Sequence, residues 1–173
     1  MIEITDLRKI YKMGTVEVKA LDGVTLTIEK GEFLGIMGPS GSGKTTLLHM
    51  LGLLDLPTSG KIMIDGLDIS RFTDYEKTMF RLYKLGYVFQ DSDVQLFCPT
   101  VLDELLYGPL QLDLDEKEAL DRAFEVMQML NIEQLKNRPS YMLSGGKKKK
   151  VAIGSVLTMN PEVLLFDEPT NGL

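Results

Sequence analysis

Three short stretches of the 173-residue sequence combine residue types that do chemistry. The first is Gly38-Pro39-Ser40-Gly41-Ser42-Gly43-Lys44-Thr45-Thr46. Its glycines let a backbone turn several N–H groups inward, and a helix opening at Lys44 adds the positive end of its dipole. Such a loop is suited to phosphate oxygens: Lys44 would reach the β- and γ-phosphates of a nucleotide, and Thr45 offers a hydroxyl to Mg²⁺. The second is Asp167-Glu168, which follows the apolar run Val163-Leu164-Leu165-Phe166. Carboxylates at the C-terminal edge of a parallel strand lie where an open α/β sheet places its ligand. Asp167 would there hold Mg²⁺ through water, and Glu168 would polarise an attacking water as general base. The third is Ser144-Gly145-Gly146 followed by Lys147, Lys148, Lys149 and Lys150. Ser144 is a good N-cap, and the glycines begin a helix whose free N–H groups can bind an anion. The lysines form its first turns. At least two of them are expected to face solvent, because consecutive helical positions point in different directions.

The elements that must position these residues are legible from periodicity. Val24 to Glu29 alternates apolar and polar, as a half-buried antiparallel strand does, and ends at the turn Glu29-Lys30-Gly31. Phe33 to Met37 is a short apolar run closed by glycines, the pattern of a strand buried on both faces of a parallel sheet. A helix is expected from Lys44 to just before Asp55, and a strand at Lys61–Ile64 with a tight Asp65-Gly66 turn. In the middle of the chain Leu120, Ala123, Phe124, Met127 and Leu130 recur at helical spacing, so 115–130 is predicted to be an amphipathic helix with these residues inward. Asn160-Pro161 breaks the chain before a second buried strand ending at Phe166. Strands in front, helices in the middle and a buried strand at the end suggest an α/β core with a helical insertion over about residues 90–159.

Composition narrows the function classes. Hydrophobic residues at 44% and charged residues at 25% can bury a real core. Nineteen basic against 25 acidic residues, a formal charge of -6, argue against a dedicated nucleic-acid binder. The single cysteine, Cys98, makes no internal disulfide, and the opening Met1-Ile2-Glu3-Ile4 has neither a basic segment nor a long apolar one, which favours a reducing cytoplasm. No apolar run approaches the roughly 18 residues that cross a bilayer. A membrane role would therefore come through a partner.

With these residues in the observed order, the chain resembles the nucleotide-binding subunit of an ATP-binding cassette (ABC) transporter. Tyr11 resembles the aromatic of the A-loop, Gly38 to Thr45 the Walker A motif, Gln90 in Tyr87-Val88-Phe89-Gln90 the Q-loop, Leu143-Ser144-Gly145-Gly146 the signature, and Leu164 to Glu168 the Walker B motif. The resemblance implies a P-loop NTPase fold: a mostly parallel core sheet, an N-terminal antiparallel β portion and an α-helical insertion, with the C-terminal part of the domain missing. It implies one incomplete domain over 1–173, divided into a β-rich core part (1–89), a helical subdomain (90–159) and the Walker B strand with the start of the D-loop (160–173). ATP and Mg²⁺ are the implied cofactors. Tyr11 would stack on adenine, residues 38–46 would hold the phosphates, and Thr45, Gln90 and Asp167 would serve the metal. Lys44 and Glu168 would be catalytic. Ser144, Gly145 and Gly146 would act on the ATP held by a second ABC ATPase subunit in a head-to-tail dimer. The implied partners are that subunit and an integral membrane transporter subunit, met by the segment Asp91 to Thr100, which places the protein at the cytoplasmic face of the membrane. No nucleic-acid partner is expected.

Within the family the two halves point differently. Met13-Gly14, Ala20-Leu21 and Leu51 to Gly60 resemble ATPases of lipoprotein-release and macrolide-export systems. Gln90 to Phe97, Pro99-Thr100-Val101, Tyr107-Gly108-Pro109 and Lys147 to Ile153 resemble the ATPases of energy-coupling-factor importers of cobalt, nickel and vitamins. The back half carries the coupling surface and is given more weight. Two departures bear on activity. Lys147 stands where the family signature has glutamine. The chain ends at Thr170-Asn171-Gly172-Leu173, inside what resembles the D-loop, before its aspartate and before the switch histidine, for which His49 cannot substitute. A truncated product that binds nucleotide weakly and hydrolyses little is the resulting expectation. A soluble ABC ATPase acting on ribosomes or DNA and a non-catalytic nucleotide-binding remnant are the alternatives.

Overall fold

The computed structural model describes residues 1–169, so the D-loop-like Thr170 to Leu173 lies outside the described residues. The chain divides into two compact units, residues 1–81 and 82–173. In the first, four strands lie in the spatial order β2-β1-β3-β4, each neighbour antiparallel: β1 (Ile2–Met13), β2 (Val16–Ile28), β3 (Ser59–Ile64) and β4 (Leu67–Asp68). Ile2 and Ile4 of β1 are buried, and Leu7 joins them although its parity is opposite. Asp6, at φ 44°, is the cause. The register against β2 slips between Ile4 and Leu7, and a one-residue slip returns the next side chain to the same face. The Asp65-Gly66 turn forms as expected, with φ 47° and 81° joining β3 to β4. β2 takes in the strand expected from Val24 to Glu29 as far as Ile28 and extends further forward, because β1 pairs with it as far as Met13↔Val16.

α1 (Lys44–Leu51) buries Leu47, Met50 and Leu51, and it stops short of the expected end because Gly52 caps it and Leu53 turns to φ 55°. The expected buried strand at Phe33–Met37 is not a strand. Phe33 is 92% and Met37 94% exposed, and no described strand pairs with the segment. An apolar run becomes a buried strand only where a neighbouring ladder takes up its backbone groups. α2 (Asp74–Tyr83) follows β4.

In the second unit β5 (Leu85–Val88) and β6 (Val163–Phe166) pair in parallel, Leu85↔Val163 through Val88↔Phe166. β6 is less buried than expected: Leu165 is inside, but Leu164 is 38% exposed. Between these strands come α3 (Val101–Gln111), α4 (Glu116–Leu130) and α5 (Gly145–Leu157). α3 opens with a reciprocal Thr100–Asp103 capping box, and α4 opens on Asp115 and ends on Asn131 at φ 54°. Val101, Leu105, Ala123, Met127, Ile132 and Val151 make the core of this helical layer, where each large aliphatic side chain contributes about 2 kcal/mol. The α4 helix lies where periodicity put it, but its inward stripe is Ala119, Ala123, Val126 and Met127. Phe124, expected inward, is 40% exposed, with the Lys136 ammonium 5.8 Å from its ring. Small Ala119 and Ala123 let the neighbouring helices approach on that side. Gly86 does the same for β5: a Cβ there would lie 2.4 Å from Val156 of α5.

Candidate functional site

In the first unit the glycine loop runs from Gly38 into α1 through Gly43, which sits at φ 89°. A Cβ at Gly43 would lie 2.4 Å from the Ala20 carbonyl oxygen, so only glycine fits. Gly41 is also left-handed, at φ 80°, and Ser42 N–H closes a turn onto the Pro39 carbonyl at 3.2 Å. α1 has no side-chain cap and no acidic residue in its first turn, which leaves its leading N–H groups and dipole for an anion. Lys44 folds back over the loop, donating to the carbonyls of Gly38 and Pro39 at 2.9 Å each. These bonds lie at an exposed site and are exchangeable for phosphate oxygens.

Tyr11 belongs to the same unit, at the end of β1. Its hydroxyl donates to Asp55 at 2.9 Å, and the Thr46 side chain also reaches it. The Lys9 ammonium covers one face of the ring at 4.8 Å and donates to the other Asp55 oxygen at 2.8 Å. Burial and the Asp55 carboxylate push the Tyr11 phenol above its ordinary value. Burial opposes the charge of Asp55, but hydrogen bonds from Lys9, the Leu56 N–H and Tyr11 outweigh it and hold the acid below the usual carboxylate range. The ring is thus held by its hydroxyl and one face, with the residue 36% exposed. Sequence reasoning found Tyr11 and Thr46 but missed Lys9 and Asp55. Asp55 had looked like no more than the stop of a helix.

In the second unit, Gln90 and Glu168 meet. The Gln90 Nε2 donates to Glu168 Oε2 at 2.8 Å, and Glu168, exposed at φ 44°, follows directly on β6. Asp167 is 5% exposed, and its N–H continues the ladder onto the Val88 carbonyl at 2.9 Å. The buried Tyr87 phenol beside it is driven well above its ordinary value, first by burial and then by the Asp167 carboxylate. With Nε2 committed to Glu168, Gln90 keeps its oxygen for a cation. Together with the Asp167 carboxylate this is a hard-oxygen donor set, which fits Mg²⁺.

Ser144 holds the N-cap position of α5 in extended conformation, but its side chain makes no cap bond, so the glycine-led N-terminus stays open. The lysines depart from expectation. Only Lys147 is exposed. Lys148 bridges to Asp93 at 2.5 Å, Lys150 donates to the Leu130 carbonyl at 2.9 Å, and Lys149 is buried. At least two had been expected in solvent. The close seating of α5 on the segment after β5 and on the end of α4 turns three of them inward. Glu104 of α3 was missed as well. At 3% exposed, it accepts from the N–H groups of Phe97 and Cys98 at 3.0 and 2.7 Å and so fixes the segment after Gln90. Burial, then Glu104 and Asp103, push the Cys98 thiol up to about 11.

Residues 21–171 match the family model described as ABC transporter. The cobalt import ATP-binding protein CbiO of Rhodobacter capsulatus is 45% identical over 161 residues, covering 90% of this chain and 55% of that protein. The energy-coupling factor transporter ATP-binding protein EcfA of Methanothermobacter thermautotrophicus is 42% identical over 176 residues, covering all of this chain and 54% of that protein. A bacterial ABC transporter cassette solved as a dimer superposes with a TM-score of 0.91 at 38% identity, over 100% of this chain and 76% of the other. The chain spans 54% to 71% of the length of curated relatives such as these.

Proposed function

The chain belongs to the ABC transporter family and has its α/β P-loop NTPase fold, with an antiparallel N-terminal sheet and a parallel one, and from that premise we propose that it binds and hydrolyses ATP to drive transport. The Gln90–Glu168 hydrogen bond carries this reading, because it brings a cation-binding oxygen and a general base onto the same strand ends. Residues 38–46 hold the phosphates, with Lys44 exchanging its loop carbonyls for β- and γ-oxygens, and the tethered Tyr11 ring offers its open face to adenine. Thr45, Gln90 and Asp167 would hold Mg²⁺, which would supply charge neutralisation to the phosphates. Glu168 orients and deprotonates the attacking water. The division into a β-rich part (1–89), a helical part (90–159) and the segment 160–173 is retained as the functional one.

The open N-terminus of α5, with Ser144, Gly145 and Gly146, faces the ATP of a second ABC ATPase subunit. The segment fixed by Glu104 meets an integral membrane subunit, placing the protein at the cytoplasmic face of the membrane. No described helix is long and apolar enough to cross a membrane itself. The names of the EcfA and CbiO relatives support import of the energy-coupling-factor kind, with a metal ion or vitamin as cargo. Calorimetry and phosphate release test the reading together. MgATP is expected to bind the wild-type chain and Glu168→Gln alike, while phosphate release stops in Glu168→Gln. Equal phosphate release by both would remove Glu168 from the chemistry, and absence of MgATP binding would remove the function.

A further inference from the structure

We propose that Lys149 is a positioning residue for Gln90: it fixes the Gln90 peptide so that the carboxamide meets Glu168, and it makes α5 and the Gln90 segment a single mechanical piece. This rests on the ATPase reading above for its functional meaning, but its structural content stands on the second unit alone. Lys149 is 2% exposed, and its ammonium donates to the carbonyls of Phe89 and Gln90 at 2.9 and 2.7 Å. No carboxylate lies within ion-pair distance of it among the described residues. A buried cation answered only by backbone dipoles is costly where an apolar side chain would fill the same space. Here its two acceptors are consecutive peptides leading out of β5, the second belonging to Gln90.

Neighbouring contacts reinforce the tie from either side. The Gln95 side chain accepts from the Phe89 N–H at 3.2 Å and donates to the Ala152 carbonyl of α5 at 2.9 Å. Lys148, one position before Lys149, holds Asp93. Packing alone does not immobilise the segment. A cleft of about 310 Å³ lies between residues 90–93 and Gly145, Lys148 and Lys149, so the Gln90 peptide has room to move if the ammonium is removed. The path is therefore continuous: Lys149 to the Gln90 carbonyl, Gln90 Nε2 to Glu168. A displacement of the glycine-led end of α5 is felt at the general base.

Two readouts test this, one of them independent of turnover. In the nucleotide-free chain, Glu168→Gln is expected to move the Gln90 side-chain amide resonance. In a Lys149→Met background the same substitution is expected to leave that resonance where it is, and Lys149→Arg is expected to restore the response. In steady-state kinetics Lys149→Met is expected to lower kcat about ten- to hundredfold with KM for ATP held within about twofold. In a Gln90→Ala background it should add less than about twofold, because the effect passes through Gln90. A Gln90 resonance that still responds to Glu168→Gln in Lys149→Met overturns the proposal. Fully additive kinetics overturn it too, as does loss of α5 amide protection in Lys149→Met that Lys149→Arg fails to restore, for Lys149 would then serve only to hold the helix. If the wild-type chain shows no turnover, the ATPase reading falls while the resonance experiment still decides the positioning role.

Discussion

Lys44 and Lys149 make the same bonds in opposite surroundings. Each ammonium donates to two consecutive backbone carbonyls, Gly38 and Pro39 for the first, Phe89 and Gln90 for the second. Lys44 does so at an exposed loop whose acceptors water can replace. Lys149 does so from a side chain that is itself buried, at 2% exposure. Burial, not residue type or acceptor chemistry, separates a lysine whose bonds water can exchange from one that has become part of the scaffold. Glu104 extends the lesson to the opposite charge, a buried carboxylate committed to the N–H groups of Phe97 and Cys98.

The comparison is broken most directly through stability. Lys149→Ala removes a buried donor from two part-buried carbonyls and is expected to lower the unfolding free energy by about 1–3 kcal/mol in urea titrations. Lys44→Ala, tested in the same way, should change it by less than about 0.5 kcal/mol while weakening MgATP binding about ten- to hundredfold by calorimetry. A stability loss of equal size in the two variants would erase the distinction drawn from burial.

A smaller effect sharpens the case of Glu104. With its thiol pushed up to about 11, Cys98 at pH 8 should alkylate about a hundredfold more slowly than an ordinary thiol, and the rate should rise steadily with pH toward that value. The sign follows from the thiolate being the nucleophile: raising the thiol's value shrinks the reactive fraction at any pH below it. Glu104→Gln should speed the reaction by removing a negative neighbour, and an unchanged rate would mean that burial alone protects Cys98. The smallest effect is expected at Lys148→Ala. Its partner Asp93 is 66% exposed, so the loss should be about 0.5 kcal/mol and should shrink as salt is added.

Legibility in the sequence divides along the same line. The glycine loop before α1, its helix, the Asp65-Gly66 turn and the Asp115-capped helix were readable, since each depends on local backbone preferences that a few residues carry. Phe33–Met37 was misread because an apolar run states a capacity for burial, and the partner that realises it is not local. Phe124 was misread because a helical period fixes the spacing of a stripe better than its direction. Of the site, Gln90 and Glu168 were named separately, 78 positions apart, and nothing in either neighbourhood announced their hydrogen bond. Asp55 and Lys9 behind Tyr11 are of the same kind. Lys149 was the hardest to see, hidden in four identical letters whose fates are set by which way each points from α5.

The acceptors of Lys149 are main-chain oxygens, and that determines where its trace is found in evolution. Substituting the side chain at position 89 or 90 leaves both carbonyls in place, so no second position is obliged to change when 149 changes. Among homologues the tie would leave no covarying pair. It would show only as a preference at 149 itself for long donors able to span from α5 to the strand end, and statistical coupling between columns would pass over it.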